Sequence, residues 1–292
     1  MKNNSGVVRK RKRYRIWYGF AAVFLLFFCF CGVNLYRELR TAKMEADNLL
    51  ELAVSAASAE AETEPIAQAN DGMNDRETDK SQGGERKMLP RYRKLAERNP
   101  DLFGWLTIPD TVIDYPVMYA PDREQYYLNR DFDGNYSGSG LLFIDERCPA
   151  DGSFYLIYGH HMQNGSMFGQ LPKYQKQDFW EEHPVFRFDT LYEQREYAVM
   201  AVILTQVYDE NITGVFRYDE YYDLSDSARF EEYVRQVKNE AIYDTGVDAV
   251  YGEELLALST CNYHTDEGRL VVVAKRIRLS GDAEPEYSAP RG

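Results

Sequence analysis

Eight short runs of β-type residues, each closed by turn residues, constrain this chain more than any other feature. They lie at 105–108, 112–117, 141–144, 154–158, 185–189, 196–207, 255–260 and 270–278. Short strands at such spacing, cut by Gly, Pro, Asp and Asn, predict a mainly β domain closed or nearly closed into an eight-stranded barrel. About 190 residues are enough for one real core. Short helices flank the strands. One is expected over 92–99, where Asn99-Pro100 ends it, and others over 167–180; a further one spans 226–241, with Phe230, Tyr233, Val234 and Val237 at helical spacing as its packing face.

The last two runs carry the chemistry. Glu254-Leu255-Leu256-Ala257-Leu258-Ser259-Thr260 ends in the thiol of Cys261, a polar turn containing Gly268 follows, and Arg269 opens the run Leu270-Val271-Val272-Val273-Ala274. Two strands joined this way place a thiol and a guanidinium side by side at one rim of a sheet. The guanidinium keeps its charge, so it favours a thiolate or the oxyanion of a tetrahedral intermediate. A buried strand-end cysteine also serves as inert packing, and catalysis needs a further group.

The chain has four histidines. His183, in Glu181-Glu182-His183-Pro184, is expected at a helix end and solvated. His264 lies three residues after Cys261, in a turn expected to face solvent, and is the lesser candidate for the cysteine's catalytic partner. His160 and His161 follow the run 154–158 through Gly159; along extended chain adjacent side chains point oppositely, so one of the two faces the cysteine.

The amino-terminal end is of another kind. Residues 1–15 hold seven bases and no acid, and 16–33 run without a charge. Extended to Tyr36, that stretch has the length of a bilayer span, about 20 residues. It lacks small residues where a signal peptide would be cleaved, so it is expected as an uncleaved anchor over 16–36 with the basic tail 1–15 in the cytoplasm. Residues 37–88 are expected as an extracellular stalk, helical over 36–60 and disordered over 70–85. The folded domain then takes 89–280, and 281–292 form a tail. Outside the basic block, 27 bases face 47 acids, a charge of −20 that argues against nucleic acid as a partner.

With these pieces in place, the chain resembles a sortase of the class B branch. The family's TLxTC strand corresponds to Ala257-Leu258-Ser259-Thr260-Cys261, its following-strand arginine to Arg269, and its glycine-histidine step to Gly159-His160. The segments Asn99-Pro100-Asp101-Leu102-Phe103-Gly104-Trp105, Ile113-Asp114-Tyr115-Pro116-Val117, Tyr127-Leu128-Asn129-Arg130-Asp131-Phe132 and Met167-Phe168-Gly169 extend the likeness over about 89–280. One departure is Ala257 where the motif has threonine.

The resemblance implies a sortase-type barrel and a cysteine transpeptidase of Gram-positive bacteria. Cys261 would be the nucleophile, His160 the general acid and base, and Arg269 the group that stabilises the oxyanion or holds the peptide, with Thr260 and Ser259 against the substrate. A secreted protein with a C-terminal sorting signal would be cleaved after Thr through a thioester and passed to a peptidoglycan amine or a pilin lysine, with water as a side acceptor. The resemblance implies no cofactor and no metal. A zinc site from His160, His161 and Cys261 has no CxxC or HExxH pattern behind it. Cys29 and Cys31 fall in the span; Cys148 is expected as a structural thiol rather than a disulfide partner of Cys261. Two rivals share these residues, a catalytically silent surface module with the same groove and a cysteine protease of another fold. The segment 219–244, just before the cysteine strand, is expected to form the wall that sets specificity.

Overall fold

The computed structural model describes residues 5–61 and 87–277; the side chains of 5–16, 19, 21, 22, 60 and 61 lie outside that description, as do the expected disordered linker 70–85 and the tail 281–292. The chain divides into two compact units, Met1–Asn48 and Leu49–Gly292. The first belongs to helix α1 (Ser5–Ala61), which includes the expected helical stretch 36–60. Among the described residues no helix is long and apolar enough to cross a membrane. Ile16, Gly19, Ala21 and Ala22 of the uncharged run are among the side chains not described.

The second unit is built on eight strands: β1 (Leu102–Thr107), β2 (Asp114–Met118), β3 (Leu142–Ile144), β4 (Phe154–Tyr158), β5 (Val185–Thr190), β6 (Glu196–Gln206), β7 (Leu255–Cys261) and β8 (Gly268–Ile277). They close into a barrel in the order β1-β2-β3-β4-β7-β8-β6-β5. Two neighbouring pairs, β2 with β3 and β4 with β7, are parallel, and the remaining pairs are antiparallel. All eight expected runs are strands.

The pattern of β7 explains its place. Every residue from Leu255 to Thr260 is buried, as a strand covered on both faces requires. Leu256 and Leu258 share one face with Val272, the partner of Leu258 on β8; Leu156 pairs with Ala257 on the other face, where the insertion between β6 and β7 packs down through Tyr233 against Phe154. Its helix α4 (Ser227–Asn239) buries Phe230, Tyr233, Val234 and Val237, the four positions at helical spacing. Asp226 caps it, accepting a hydrogen bond from the Arg229 N–H at 2.9 Å. Helix α2 (Pro90–Arg98) starts on a proline, suited to a first turn. It docks through Tyr92, whose hydroxyl donates to the buried Asp189 carboxylate at 2.7 Å. Leu52 and Ala56 of α1 are buried in the same cluster as Tyr92 and Trp105, so the last turns of α1 belong to the core of this unit.

Between β4 and β5 the chain makes a 3-10 turn, Leu171–Gln175, and helix α3 (Gln177–Glu182), the expected short helices. His183 is not solvated: it is 9% exposed, stacks on Phe179 at 4.1 Å and hydrogen-bonds the Phe179 carbonyl. Closing the C-terminus of a helix this short against its own aromatic residue removes the ring from water.

Candidate active site

The site lies where four strand ends meet. β7 ends at Cys261, and β8 begins with Gly268 and Arg269. Their antiparallel register sets Cys261 opposite Arg269, and β6 brings Thr205 opposite Arg269 on the other side. The turn between β7 and β8 is tight: the Asn262 N–H donates to the Gly268 carbonyl at 2.8 Å, and a Cβ at Gly268 would collide with the Asn262 carbonyl oxygen. Only glycine fits there.

β4 supplies the histidines, because its parallel pairing with β7 ends with Tyr158 beside Ser259. Gly159 then binds β7 twice: its N–H donates to the Ser259 carbonyl at 3.2 Å, and its carbonyl accepts from the Thr260 hydroxyl at 2.7 Å. A Cβ at Gly159 would collide with Leu142 and lie 2.6 Å from Phe168, so a larger residue at this step must push these two buried side chains aside.

The two histidines have different partners, as alternation along the chain predicts. His160 Nε2 is 2.9 Å from the Leu128 carbonyl oxygen, and His161 Nδ1 is 3.0 Å from the Cys261 carbonyl oxygen. A carbonyl only accepts, so each of those nitrogens carries a proton in its contact. Nδ1 of His160 is the nitrogen left to exchange a proton. The His161 ring also lies against the exposed Tyr263, with centroids 5.2 Å apart. His264 is exposed, as expected, and its Nδ1 lies 2.9 Å from Asn262 Oδ1 in the same turn.

Arg269 is half-buried and its guanidinium folds over its own turn, donating to the Glu267 and Gly268 carbonyls at 3.2 and 3.0 Å. Cys261 is partly exposed and Cys148 is buried, both as free thiols. Burial pushes the Cys148 thiol up to about 12, which keeps it protonated and unreactive at neutral pH. Thr260 and Ser259 are 2% and 1% exposed, so neither hydroxyl is offered to solvent. That of Ser259 pairs with the Tyr218 hydroxyl at 2.8 Å. Ala257, where a threonine was expected, is wholly buried. Among the described residues no three His, Cys, Asp or Glu side chains gather as a metal site; His160 and His161 are held by separate carbonyls instead.

Reading the sequence does not find Tyr218, Arg147 or Asp145. Tyr218 sits in a 3-10 turn, Tyr218–Glu220, of the β6–β7 insertion, and burial raises its phenol to about 12. Arg147 lies between β3 and β4. It grips the buried Asp145 carboxylate through Nε and Nη2 at 2.8 and 2.6 Å and donates to the Asp219 carbonyl at 3.0 Å. Its guanidinium lies 5.0 Å from the Tyr222 ring centroid. Two tethers thus pin the start of the insertion beside β7. Their only sequence signal is Arg147 two residues from Asp145; the partners more than 70 residues away depend on the fold.

A closed eight-stranded barrel with a cysteine and an arginine in register on its last two strands, and histidines leaving the adjacent parallel strand, defines a sortase-like cysteine enzyme. Comparison with known proteins agrees: the family model described as the sortase domain matches residues 106–277. The chain is 34% identical over 189 residues to sortase B of Listeria monocytogenes, a match that covers 63% of this chain and 73% of that protein. In fold it is similar to the Staphylococcus aureus sortase B–substrate complex, with TM-score 0.66, 24% identity, and 82% of this chain and all of that one covered. A sortase B complexed with triglycine gives TM-score 0.65 at 24% identity, with the same coverage. The chain belongs to the sortase family, in its class B branch.

Proposed function

We propose that this sortase is a cysteine transpeptidase that cleaves a sorting signal after threonine and transfers the new carboxyl end to an amine. The observation that carries the reading is the register of Cys261 with Arg269 beside the exit of β4. Cys261 as thiolate attacks the threonine carbonyl, and negative charge moves to the carbonyl oxygen. Arg269 swings from its turn carbonyls to that oxyanion. The C–N bond breaks as His160 gives its proton to the departing amine, leaving a thioester. An incoming amine loses its proton to His160, attacks the thioester and expels the thiolate, which restores the starting state. Thr260 and Ser259 support the groove from below through Gly159 and Tyr218, and the substrate lies over the backbone they hold.

In the same proposal the uncharged stretch 16–33, behind seven bases, anchors the chain with its N-terminus in the cytoplasm and residues 89–280 outside. The donor is then a secreted protein with a C-terminal sorting signal, and the acceptor a cell-wall amine or a pilin lysine. The insertion 219–244 forms the groove wall that sets the signal. Since a sortase B has been captured with triglycine, that peptide is the first acceptor to test. Product masses with and without triglycine separate transfer from hydrolysis, and Cys261→Ala separates either from a silent binding module. Transfer lost in that variant supports the proposal; a hydrolysis product alone in the presence of triglycine refutes it.

A further inference from the structure

The adjacent histidines raise a question that the proposed reaction leaves open, since it uses one of them. Parallel pairing gives the answer. Along β7, the Ser259 carbonyl accepts from the Gly159 N–H at 3.2 Å. If β4 ran on in register, the next bond of the ladder would join the N–H of residue 161 to the Cys261 carbonyl. β4 instead ends at Tyr158, and the chain turns away. The His160 carbonyl accepts from the Phe168 N–H at 3.0 Å, and His161 forms a bridge with Met167. The Cys261 carbonyl is met by the His161 ring, with Nδ1 at 3.0 Å.

We infer that His161 is a positioning residue whose imidazole continues the β4–β7 ladder past the end of β4 and thereby holds the backbone of the nucleophile. The ring is well placed to be rigid. Its own backbone is tied to the wholly buried Met167, and Tyr263 lies against its face. Nδ1 carries a proton in both the neutral tautomer that this bond selects and the imidazolium, so the support does not depend on the charge of the ring. The pair therefore divides the work: His161 holds Cys261, and His160 keeps Nδ1 for proton transfer. The inference rests on the transpeptidase reading for its kinetic consequence, but its structural half stands without it.

The test uses the full-length chain in detergent with His161→Ala, His161→Asn, His161→Gln and His160→Asn. An asparagine amide nitrogen reaches the place of Nδ1, and a glutamine amide reaches that of Nε2. Displacement of a reacting group by an ångström costs on the order of 100-fold. His161→Ala and His161→Gln should thus lower the rate of thioester formation by about 10- to 100-fold, while His161→Asn restores it to within a few-fold of wild type with both limbs of the pH–rate profile intact. His160→Asn should lose the rate and a limb of that profile. Amide exchange at Asn262, next to the held carbonyl, should quicken in His161→Ala and return to normal in His161→Asn. That measurement needs no substrate, so it reads the ladder even if wild type forms no thioester. His161→Asn behaving as His161→Ala in exchange, or His161→Asn losing a pH limb while His160→Asn keeps it, would overturn the inference.

Discussion

Tyr218 and Ser259 offer the sharpest energetic test, because their hydroxyls meet at 2.8 Å in a place with almost no water, with residue exposures of 3% and 1%. Tyr218→Phe removes one hydroxyl and leaves the aromatic ring in its packing. The Ser259 hydroxyl then stays buried without this partner, at a cost of about 1–3 kcal/mol. Ser259→Ala strands the phenol in the same way and should cost a similar amount. In the double variant both polar groups are gone, no buried hydroxyl of the pair is left unmatched, and the loss should be no larger than that of either single change. The coupling energy is then at least the smaller single loss, about 1–3 kcal/mol. In thermal unfolding each single change lowers Tm by roughly 2–12 °C, given about 2–4 °C per kcal/mol in a domain of 150–250 residues. Since Ser259 and Cys261 share one face of β7, both singles should also slow thioester formation. Additive losses, with the double variant as unstable as the sum of the singles, would refute the claim that this contact latches the insertion to β7.

Three further outcomes follow from the same geometry. Gly159→Ala forces a methyl into Leu142 and to within 2.6 Å of Phe168; it should cost about 1–3 kcal/mol by overpacking and slow the reaction by displacing His160, checked by melting and by thioester kinetics. The Cys148 thiol is raised in the folded protein from about 9 to about 12 by burial, so the unfolded chain loses that proton first. Its contribution is complete below about pH 9 and disappears as pH rises toward 12; urea unfolding of Cys148→Ala should therefore decline less steeply across that window, and at pH 8 iodoacetamide should label Cys261 and spare the buried Cys148 in the native protein. Arg147→Lys keeps the charge but loses the two-pronged grip on Asp145. It should speed amide exchange over 217–223 and cost roughly 1 kcal/mol, kept small because the arginine side chain is 43% exposed.

How far the sequence speaks depends on how local each signal is. The strands were legible because turn residues close every run, and α4 because its four apolar positions fall on one face. Cys261 and Arg269 could be placed together from sequence since only a short turn ending in a glycine separates them. Gly159 is legible only as part of the family resemblance; the crowding that favours a small residue there comes from Leu142 and Phe168, which pack against it in the fold. What His160 and His161 each do was not legible: alternation says that they diverge, but the Leu128 and Cys261 carbonyls that receive them are 32 and 100 residues away. The seat of Thr260 depends likewise on Gly159, reached when β4 pairs with β7, and that of Ser259 on Tyr218, reached when the insertion folds back. His183 looks solvated among acids, and its stacking on Phe179 comes from the close of α3. Leu52 and Ala56 read as part of a polar helix, yet they pack in the domain because α2 and Trp105 offer them an apolar seat.

The central claim is that Cys261 forms a thioester with the threonine of a sorting signal, and intact-mass spectrometry tests it most directly. The full-length protein in detergent, and the compact unit from Leu49 onward, would be incubated with a panel of sorting-signal peptides beside Cys261→Ala. The account predicts an adduct equal in mass to the peptide up to and including threonine, absent from Cys261→Ala and discharged by triglycine. A folded protein whose Cys261 alkylates readily but takes no adduct from any peptide would contradict it.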